Sequence, residues 1–344
     1  MKTSTLLSVL LIFAFLVAGC TPPTPATPTG ENAPMAKPTA FKPAYVKLSL
    51  GYIPSVQFAP FYVAIDQGYF AAEDITIELE NGIETDFLKL LGANERQFIV
   101  ASGDQVILGR SRGLPITYVA AWYRQFPVVV FAQAEKNLNR PADLVGKKVG
   151  IPGLFGASYV AWKALVAAAD LPEEQITLES IGFTQGTAVS DGLVDAALDY
   201  SVNGPVQLRL AGDEVSEIVV DDYARIPSNG LLTNEATLEQ QPELVERMVR
   251  AMLRGVQYTL DHPDEAFDTA VRFVPEAAQQ LETNRAIFDA SLALWQPAAG
   301  ERLGFTDPAI WPATAEMMAQ AGLVDKVVAT DGIWTNQFVE AAAP

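Results

Sequence analysis

The sequence predicts an α/β fold with two lobes, in which each lobe is a mainly parallel sheet flanked by helices. From residue 45, short apolar runs alternate with amphipathic stretches of helical length, a pattern typical of parallel sheets covered by helices. The chain has 344 residues, more than a single domain usually contains. The same alternation starts again after residue 133, so we expect a second lobe there.

Residues 1–19 predict a lipoprotein signal peptide. Lys2 precedes an apolar run, Leu6 to Val17, which is shorter than the roughly 20 residues of a membrane-spanning helix. The run leads into LVAGC, which resembles the lipobox of bacterial lipoproteins, where the cysteine is acylated and becomes the first mature residue. Cys20 is the only cysteine of the sequence, so we expect lipidation there and no disulfide within the chain. The alternative is an ordinary secretory signal with an incidental cysteine.

Residues 20–44 predict an extended tether, because they are rich in proline and threonine and hold too few apolar side chains to bury a core. We then expect lobe 1 at 45–133, lobe 2 at 134–228, and a return to lobe 1 with C-terminal helices at 229–344. The formal net charge is −18 and no basic stripe offsets it. A nucleic-acid partner is therefore not expected, since its phosphates would be repelled.

The strands and helices follow in order along both lobes. In lobe 1 the predicted strands are VKLSLGYI, ITIELE, FIVAS, ITYVAAW and VVVFAQ, and the first three are followed by the helices APFYVAIDQGYF, TDFLKLLGAN and GDQVILGRSRG. In lobe 2 the predicted strands are KKVGI, ITLESIG, DAALDY and EIVVDD. Long amphipathic helices begin with Pro242 to Leu260.

One helix start in lobe 2 is predicted to face a ligand. Gly153 and Gly156 precede a helix whose buried stripe excludes Ser158, Tyr159 and Trp162. Glycines let a backbone approach a ligand closely, and the free amides of a helix start favour an oxygen-rich or anionic group.

Catalytic and metal chemistry are poorly represented. The single histidine, His262, precedes a proline at a helix end, where a surface or capping role is expected. There is no His/Cys metal spacing, no histidine for a Ser-His-Asp triad in a cleft, and no Walker or GxGxxG loop. Carboxylates are plentiful, but nothing marks a catalytic pair. We therefore expect neither an enzyme nor a metal site.

The loop GYIPSVQFAPFYVAIDQGYF, followed in order by FIVASGDQVILGRSRGLPITYVAAW, RPADLVGKKVGIPG and GLVDAALDY, resembles the substrate-binding proteins of ABC importers for nitrate, sulfonates, taurine and thiamine pyrimidine precursors. The resemblance spans about residues 45–230. It implies the type II periplasmic-binding-protein fold, closure of two lobes on a small ligand, and partnership with an ABC permease and ATPase. It also implies an extracytoplasmic, membrane-anchored monomer that needs no cofactor.

The resemblance also places the ligand loops. By position they map onto Tyr52, Ser55, Gln57, Phe58, Ser102, Asp104, Trp122, Tyr123, Gly156, Ser158, Tyr159, Tyr200 and Asn203. Several have an alternative structural role. Ser102 and Asp104 could cap the following helix, Trp122 and Tyr123 could pack between the lobes, and Phe58 and Tyr200 could belong to the core.

The loops favour a flat heterocycle as ligand. Residues 52–60, 101–107, 153–162 and 183–204 contain no lysine or arginine, whereas binders of charged anions usually add one. Aromatic faces with a few polar groups suit a stacked ring system. The pyrimidine-binding relatives tend to have Trp-x-Pro-Asn and then histidine, where this sequence has Tyr52-Ile53-Pro54-Ser55 and Phe58.

This departure favours a larger, more apolar ring, as in the riboflavin-binding lipoproteins of the same family. We expect riboflavin as a transported ligand, not as a cofactor. The alternatives are a thiamine pyrimidine precursor, a small anion such as a sulfonate or nitrate, a sensory rather than a transport receptor, and an enzyme similar to the pyrimidine-synthesising relatives. Those relatives depend on histidine and a cysteine-rich motif.

Overall fold

Two five-stranded sheets organise the computed structural model, which describes residues 42–342. The predicted signal peptide, Cys20 and nearly all of the predicted tether lie outside the described residues. The strands in this range are β1 (Ala44–Leu50), β2 (Ile75–Asn81), β3 (Phe98–Ser102), β4 (Ile116–Ala121), β5 (Val128–Gln133), β6 (Lys148–Ile151), β7 (Thr177–Ser180), β8 (Ala196–Tyr200), β9 (Val215–Val219) and β10 (Asn229–Asn234).

Helices connect and cover these strands. Those in the described range are α1 (Ala59–Asp66), α2 (Tyr69–Ala72), α3 (Glu84–Gly92), α4 (Gly103–Ser111), α5 (Gly156–Ala168), α6 (Gln185–Ser190), α7 (Gly204–Leu210), α8 (Glu235–Gln240), α9 (Pro242–Asp261), α10 (Pro263–Phe273), α11 (Leu281–Trp295), α12 (Ile310–Gln320) and α13 (Gln337–Ala341). Among residues 42–342, none of these helices combines the length and the apolar character needed to cross a bilayer.

The two sheets share one topology. The first has the order β2-β1-β3-β10-β4 and the second β7-β6-β8-β5-β9. In each sheet one strand, β10 or β5, is antiparallel to both of its neighbours, and the remaining four run in one direction. The predicted α/β architecture with mainly parallel sheets is therefore present.

The first crossing between the sheets comes earlier than the sequence analysis placed it. VVVFAQ was assigned to lobe 1, but as β5 it pairs with β8 and β9 of the second sheet. An apolar run does not reveal which sheet it joins, because a strand covered on both faces is hydrophobic throughout. The return crossing ends at β10, which begins at Asn229. The sequence predicts a return of the chain near this residue but no strand there.

Buried strand residues alternate between two cores. In β5, Val128 and Val130 join a core cluster that also holds residues of the first sheet, whereas Val129 and Phe131 join a smaller cluster on the opposite face. This alternation follows from the two-residue period of a strand. Because one hydrophobic cluster includes side chains from both sheets, the two lobes share apolar packing.

The C-terminal helices contact both lobes and not only the first, as the sequence analysis expected. α9 packs on α1, but α11 contacts α7 and α12 contacts α5. α5 itself is more buried than its sequence stripe predicted, because Trp162 is fully buried and its Nε1 donates to Glu173 Oε1 at 2.8 Å. His262 lies exposed between α9 and α10, as predicted.

Gly255 allows the close approach of α9 to α1, and its replacement by alanine is expected to destabilise the protein. A Cβ there would lie 2.2 Å from the carbonyl oxygen of Pro60 and 2.7 Å from the Cβ of Ala64. Overpacking costs about 1–3 kcal/mol, which exceeds the gain of up to about 1 kcal/mol in helix propensity. We expect Gly255→Ala to lower the free energy of unfolding by about 1–2 kcal/mol in urea titrations.

Exposed Gln257 on the same helix provides the control, because Gln257→Ala should change stability by no more than about 0.5 kcal/mol. Equal stability of Gly255→Ala and the unchanged protein would show that this helix contact is not tight.

Candidate ligand-binding cleft

A cavity of about 230 Å³ lies between the two sheets and is lined by residues from both. Its walls come from the segments that follow β1, β2, β4, β6, β7 and β8, together with Val100 of β3, the last two residues of β8 and the first residue of β10. Parallel strands end at the same edge of a sheet, where ligands of open α/β folds collect. The antiparallel β10 begins at that edge, which brings Asn229 into the cavity wall.

Aromatic side chains form one wall. Phe58 and Trp122 stack with ring centroids 5.1 Å apart and an interplanar angle of 17°. Tyr123 lies against Trp122 at 4.3 Å, and Tyr200 of the second sheet lies 6.3 Å from Tyr123. All four residues line the cavity, so the wall offers ring faces and edges suited to a planar apolar guest.

The backbone of Asn229 holds this wall in place. Its carbonyl oxygen accepts hydrogen bonds from the backbone N–H groups of Trp122 at 2.8 Å and Tyr123 at 3.0 Å. The Asn229 side-chain oxygen accepts from the Tyr200 hydroxyl at 3.2 Å. Asn229 thus fixes the loop after β4 and links it to the end of β8.

A buried amide chain connects the lobes beside the aromatic wall. The Tyr123 hydroxyl donates to Gln57 Oε1 at 3.1 Å, and Gln57 Nε2 donates to Asn203 Oδ1 at 2.8 Å. Gln57 precedes α1 beside the first sheet, and Asn203 precedes α7 beside the second sheet. Both residues are buried, so these bonds hold the two walls together away from bulk water.

The cleft mouth is apolar. Tyr52 and Phe183 meet edge to face across it, with centroids 5.3 Å apart. Ile53, Ile83 and Phe155 also line the cavity and are more than half exposed. A ligand that enters the cleft therefore passes hydrophobic side chains contributed by both sheets.

Asp199 is a lining carboxylate that serves the protein itself. Its Oδ1 accepts from the backbone N–H of Tyr200 at 2.7 Å and from Asn203 Nδ2 at 3.2 Å, and its Oδ2 accepts from the Gly204 N–H at 3.0 Å. Burial raises the pKa of Asp199 to about 6, although these hydrogen bonds lower it. Both carboxylate oxygens are engaged in positioning the start of α7.

Glu84 is the second lining carboxyl. Its Oε1 accepts from the backbone N–H of Ser102 at 2.6 Å and from the Ser102 hydroxyl at 2.7 Å. Burial, and then the nearby charge of Asp104, raise the pKa of Glu84 to about 7 despite these two bonds. The Asp104 pKa is likewise raised to about 6, chiefly by burial.

Two buried donors of the lining have no hydrogen-bond partner within the described residues. They are Trp122 Nε1 on the first lobe and Gln185 Nε2 on the second, and each side chain is 4% exposed. Unpaired buried N–H groups are costly. A ligand with acceptor oxygen or nitrogen atoms could satisfy them.

The structure brings together nine of the thirteen residues that the sequence analysis placed in the site. The cavity-lining set is Tyr52, Gln57, Phe58, Trp122, Tyr123, Gly156, Ser158, Tyr200 and Asn203. Phe58, Trp122 and Tyr123 are also buried in the core. Phe58 and Trp122 therefore have both roles: they pack in the core, and they form part of the cavity wall.

Four predicted site residues do not line the cavity. Ser55 accepts hydrogen bonds from the backbone N–H and Nε2 of Gln57, both at 3.2 Å, and so supports a lining residue. Ser102 makes no side-chain cap for α4 and donates to Glu84 instead. Asp104 is fully buried. Tyr159 packs against the core, because it lies about 100° around α5 from the lining residue Ser158.

The cavity also has lining residues that the sequence did not predict, among them residues that follow two of the strands. Glu84 and Ile83 follow β2, whereas Phe183 and Gln185 follow β7. The carboxyl-end rule, applied to every parallel strand, would have found both segments. In the part of the chain that the structure describes, no group of three or more His, Cys, Asp and Glu side chains could hold a metal ion.

The fold is that of the periplasmic binding proteins. The alkanesulfonate-binding protein SsuA from Xanthomonas axonopodis pv. citri, solved with bound MOPS, superposes with a TM-score of 0.66 at 15% identity over 86% of this chain and 100% of that chain. Likeness at this identity shows the architecture alone.

The chain belongs to the NMT1/THI5-like family, whose model matches residues 55–266. It is 40% identical to the riboflavin-binding protein RibY of Chloroflexus aurantiacus over 339 residues, and this alignment covers 96% of each of the two chains. It is 32% identical over 238 residues to the formylaminopyrimidine-binding protein of Halalkalibacterium halodurans, 67% of this chain and 71% of that protein. Both of these relatives are named as binding proteins.

The raised pKa of Glu84 predicts pH-dependent stability. The unfolded chain releases this proton near the ordinary pKa of 4.5 and the folded chain near 7, so stability falls as pH rises through this window and stays reduced above it. Glu84→Gln keeps an acceptor for Ser102 but removes the charge. We expect its unfolding free energy, relative to the unchanged protein, to rise by about 1–3 kcal/mol between pH 5 and pH 8.

Urea titrations of Glu84→Gln and of the unchanged protein at pH 5 and pH 8 measure how the difference in their unfolding free energies changes with pH. A relative stability that is the same at pH 5 and pH 8 would show that the Glu84 carboxyl titrates like an exposed one.

Proposed function

We propose that this protein captures riboflavin in the cleft between its two sheets and delivers it to an ABC importer. One observation carries the ligand class. The lining joins aromatic rings from both lobes with amide and carboxyl groups, and it includes no lysine or arginine side chain within the described residues. Such a surface suits a planar, uncharged ring system with a few hydrogen-bonding atoms.

Two observations favour riboflavin over a single-ring pyrimidine as the proposed ligand. The similarity to RibY extends over nearly the whole chain, whereas the similarity to the formylaminopyrimidine-binding protein covers two thirds of it. The wall formed by Phe58 and Trp122 also continues to Tyr123 and Tyr200. This extended aromatic surface supports a guest with several fused rings.

Binding without chemical transformation is the corresponding proposal for the mechanism. Asp199 is occupied in capping α7, and the lining offers no nucleophile paired with a base. Ligand contact with both walls favours the closed arrangement, since a ligand shifts an equilibrium toward the state in which it makes more contacts.

Delivery would require the partners implied by this family. We propose an ABC permease with its ATPase, and an extracytoplasmic monomer held at the membrane by acylated Cys20. Two or more acyl chains would give stable anchoring, whereas one chain would be marginal. Labelling with a radioactive fatty acid, and its loss in Cys20→Ala, would test the anchor.

Titration with riboflavin tests the ligand. Flavin emission and tryptophan emission should both be quenched on binding, because the ring system would lie near Trp122, and purified protein should keep a yellow colour through desalting. The pyrimidine precursor of thiamine, added as a competitor, provides the alternative ligand. Absence of quenching by riboflavin, together with saturable binding of the pyrimidine, would replace riboflavin with that ligand.

Phe183 at the cleft mouth should contribute to affinity. It is 56% exposed, so Phe183→Ala should leave folding intact, and the lost aromatic contact should weaken riboflavin binding by about 1–2 kcal/mol, within the range for removal of a ring stacked on a base. Isothermal titration measures the change.

Tyr159→Ala is the matched control, since this ring lies in the same lobe but outside the cavity lining. Its affinity should equal that of the unchanged protein. A larger loss in Tyr159→Ala than in Phe183→Ala would place the ligand elsewhere.

A further inference from the structure

We propose that Glu84 selects the ligand by charge, so that the cleft binds a neutral heterocycle and rejects the phosphate monoester of the same compound. The inference rests on the proposed function and concerns the same cleft. It assigns a specificity-determining role to a residue whose free carboxyl oxygen has no protein donor in the described range.

The charged side chains that line the cavity are all negative. Glu84 and Asp199 are the only formally charged side chains among the lining residues, and both are acidic. Asp199 receives three hydrogen bonds from its own lobe, distributed over both oxygens. Both oxygens of Asp199 therefore accept hydrogen bonds before a ligand enters, whereas only Oε1 of Glu84 does so.

Glu84 is held in a fixed position with one oxygen available. Ser102 donates twice to Oε1, and no hydrogen bond from the described residues reaches Oε2. Gly51 provides the space for this side chain, because a Cβ at Gly51 would lie 3.0 Å from the Cβ and 3.2 Å from the Cγ of Glu84. The carboxyl is thus preorganised to accept a hydrogen bond from a ligand N–H or O–H group.

No lysine or arginine within residues 42–342 forms an ion pair with Glu84. The adjoining buried acid is Asp104, whose Oδ2 accepts from Gln105 Nε2 at 2.6 Å and whose Oδ1 has no partner among the described residues. Tyr200 also faces this pair, and burial and the two carboxyls raise its pKa, which keeps it neutral. The ionisable side chains next to Glu84 therefore add negative charge and no positive charge.

Helix starts oppose this negative charge, because Glu84 is itself the first residue of α3 and the cavity is also lined by the start of α5. Gly156 and Ser158 line the cavity near the helix terminus, which carries about half a positive charge. An ionised Glu84 carries a full negative charge. A phosphate or sulfonate bound close to Glu84 would be repelled by the carboxylate, and a neutral donor avoids this repulsion.

The first measurement compares riboflavin with riboflavin 5′-phosphate at pH 8. Glu84, with a pKa of about 7, is mostly ionised there, and so is a phosphate monoester with a second pKa of about 6. We expect riboflavin to bind at least about tenfold more tightly, since like charges repel strongly at the effective dielectric of a protein site. Equal affinities in the unchanged protein would overturn the proposal.

The second measurement repeats the comparison with Glu84→Gln. Removal of the charge should reduce the preference for riboflavin to within about threefold, mainly through tighter binding of the phosphate ester. Asp86→Asn is the matched control: it removes the same charge on the same helix, its side chain is 61% exposed, and it does not line the cavity. A preference that falls equally in both variants would overturn the role of Glu84.

A second ligand pair separates this inference from the identity of the ligand. If riboflavin does not bind, the proposed function fails. The charge rule is then tested with 4-amino-5-hydroxymethyl-2-methylpyrimidine and its phosphate ester. Preference for the neutral pyrimidine, reduced in Glu84→Gln but not in Asp86→Asn, would support it, and preference for the ester would overturn it.

Discussion

The common direction of the parallel strands is the constraint on which the cleft depends. Four strands of each sheet run in one direction, so their carboxyl ends, and the loops that leave them, meet at a single edge. Two such edges face each other, and side chains that are distant in sequence become neighbours. Gln57 and Asn203 are 146 positions apart but share a hydrogen bond of 2.8 Å. The antiparallel strand adds to this arrangement because it starts where its neighbours end.

The part of this arrangement that follows from local pattern could be predicted from sequence. Alternation of apolar runs and helical stretches located nine of the ten strands in the described range, all except β10, and the resemblance of the loop after β1 located Gln57 and Phe58. These predictions succeed because the period of a strand and the start of a helix depend on neighbouring residues. The polar residues in the loops that follow these strands then lie at the edge of the cavity.

What could not be predicted depends on three-dimensional register. Tyr159 is one position beyond a lining residue, and a rotation of about 100° along α5 turns it into the core. Ser102 lies at the carboxyl end of β3, where ligand residues are expected, but its hydroxyl donates to Glu84, the residue that begins α3. The position of β5 depends on partners that come later in the chain. Each of these outcomes is decided by packing between segments, which a single sequence does not display.

The placement of β10 has a consequence for the order in which the molecule can assemble. β10 lies between β3 and β4 and provides the only link between them in the first sheet. The N-terminal strands are made first, yet they stay incomplete until the chain has passed through the whole second sheet and returned. Pairing of strands that lie so far apart in the sequence lowers the entropy of the chain before the stabilising contacts have formed. Assembly of the first sheet therefore has to await the synthesis of residue 234, whereas all five strands of the second sheet lie within residues 128–219.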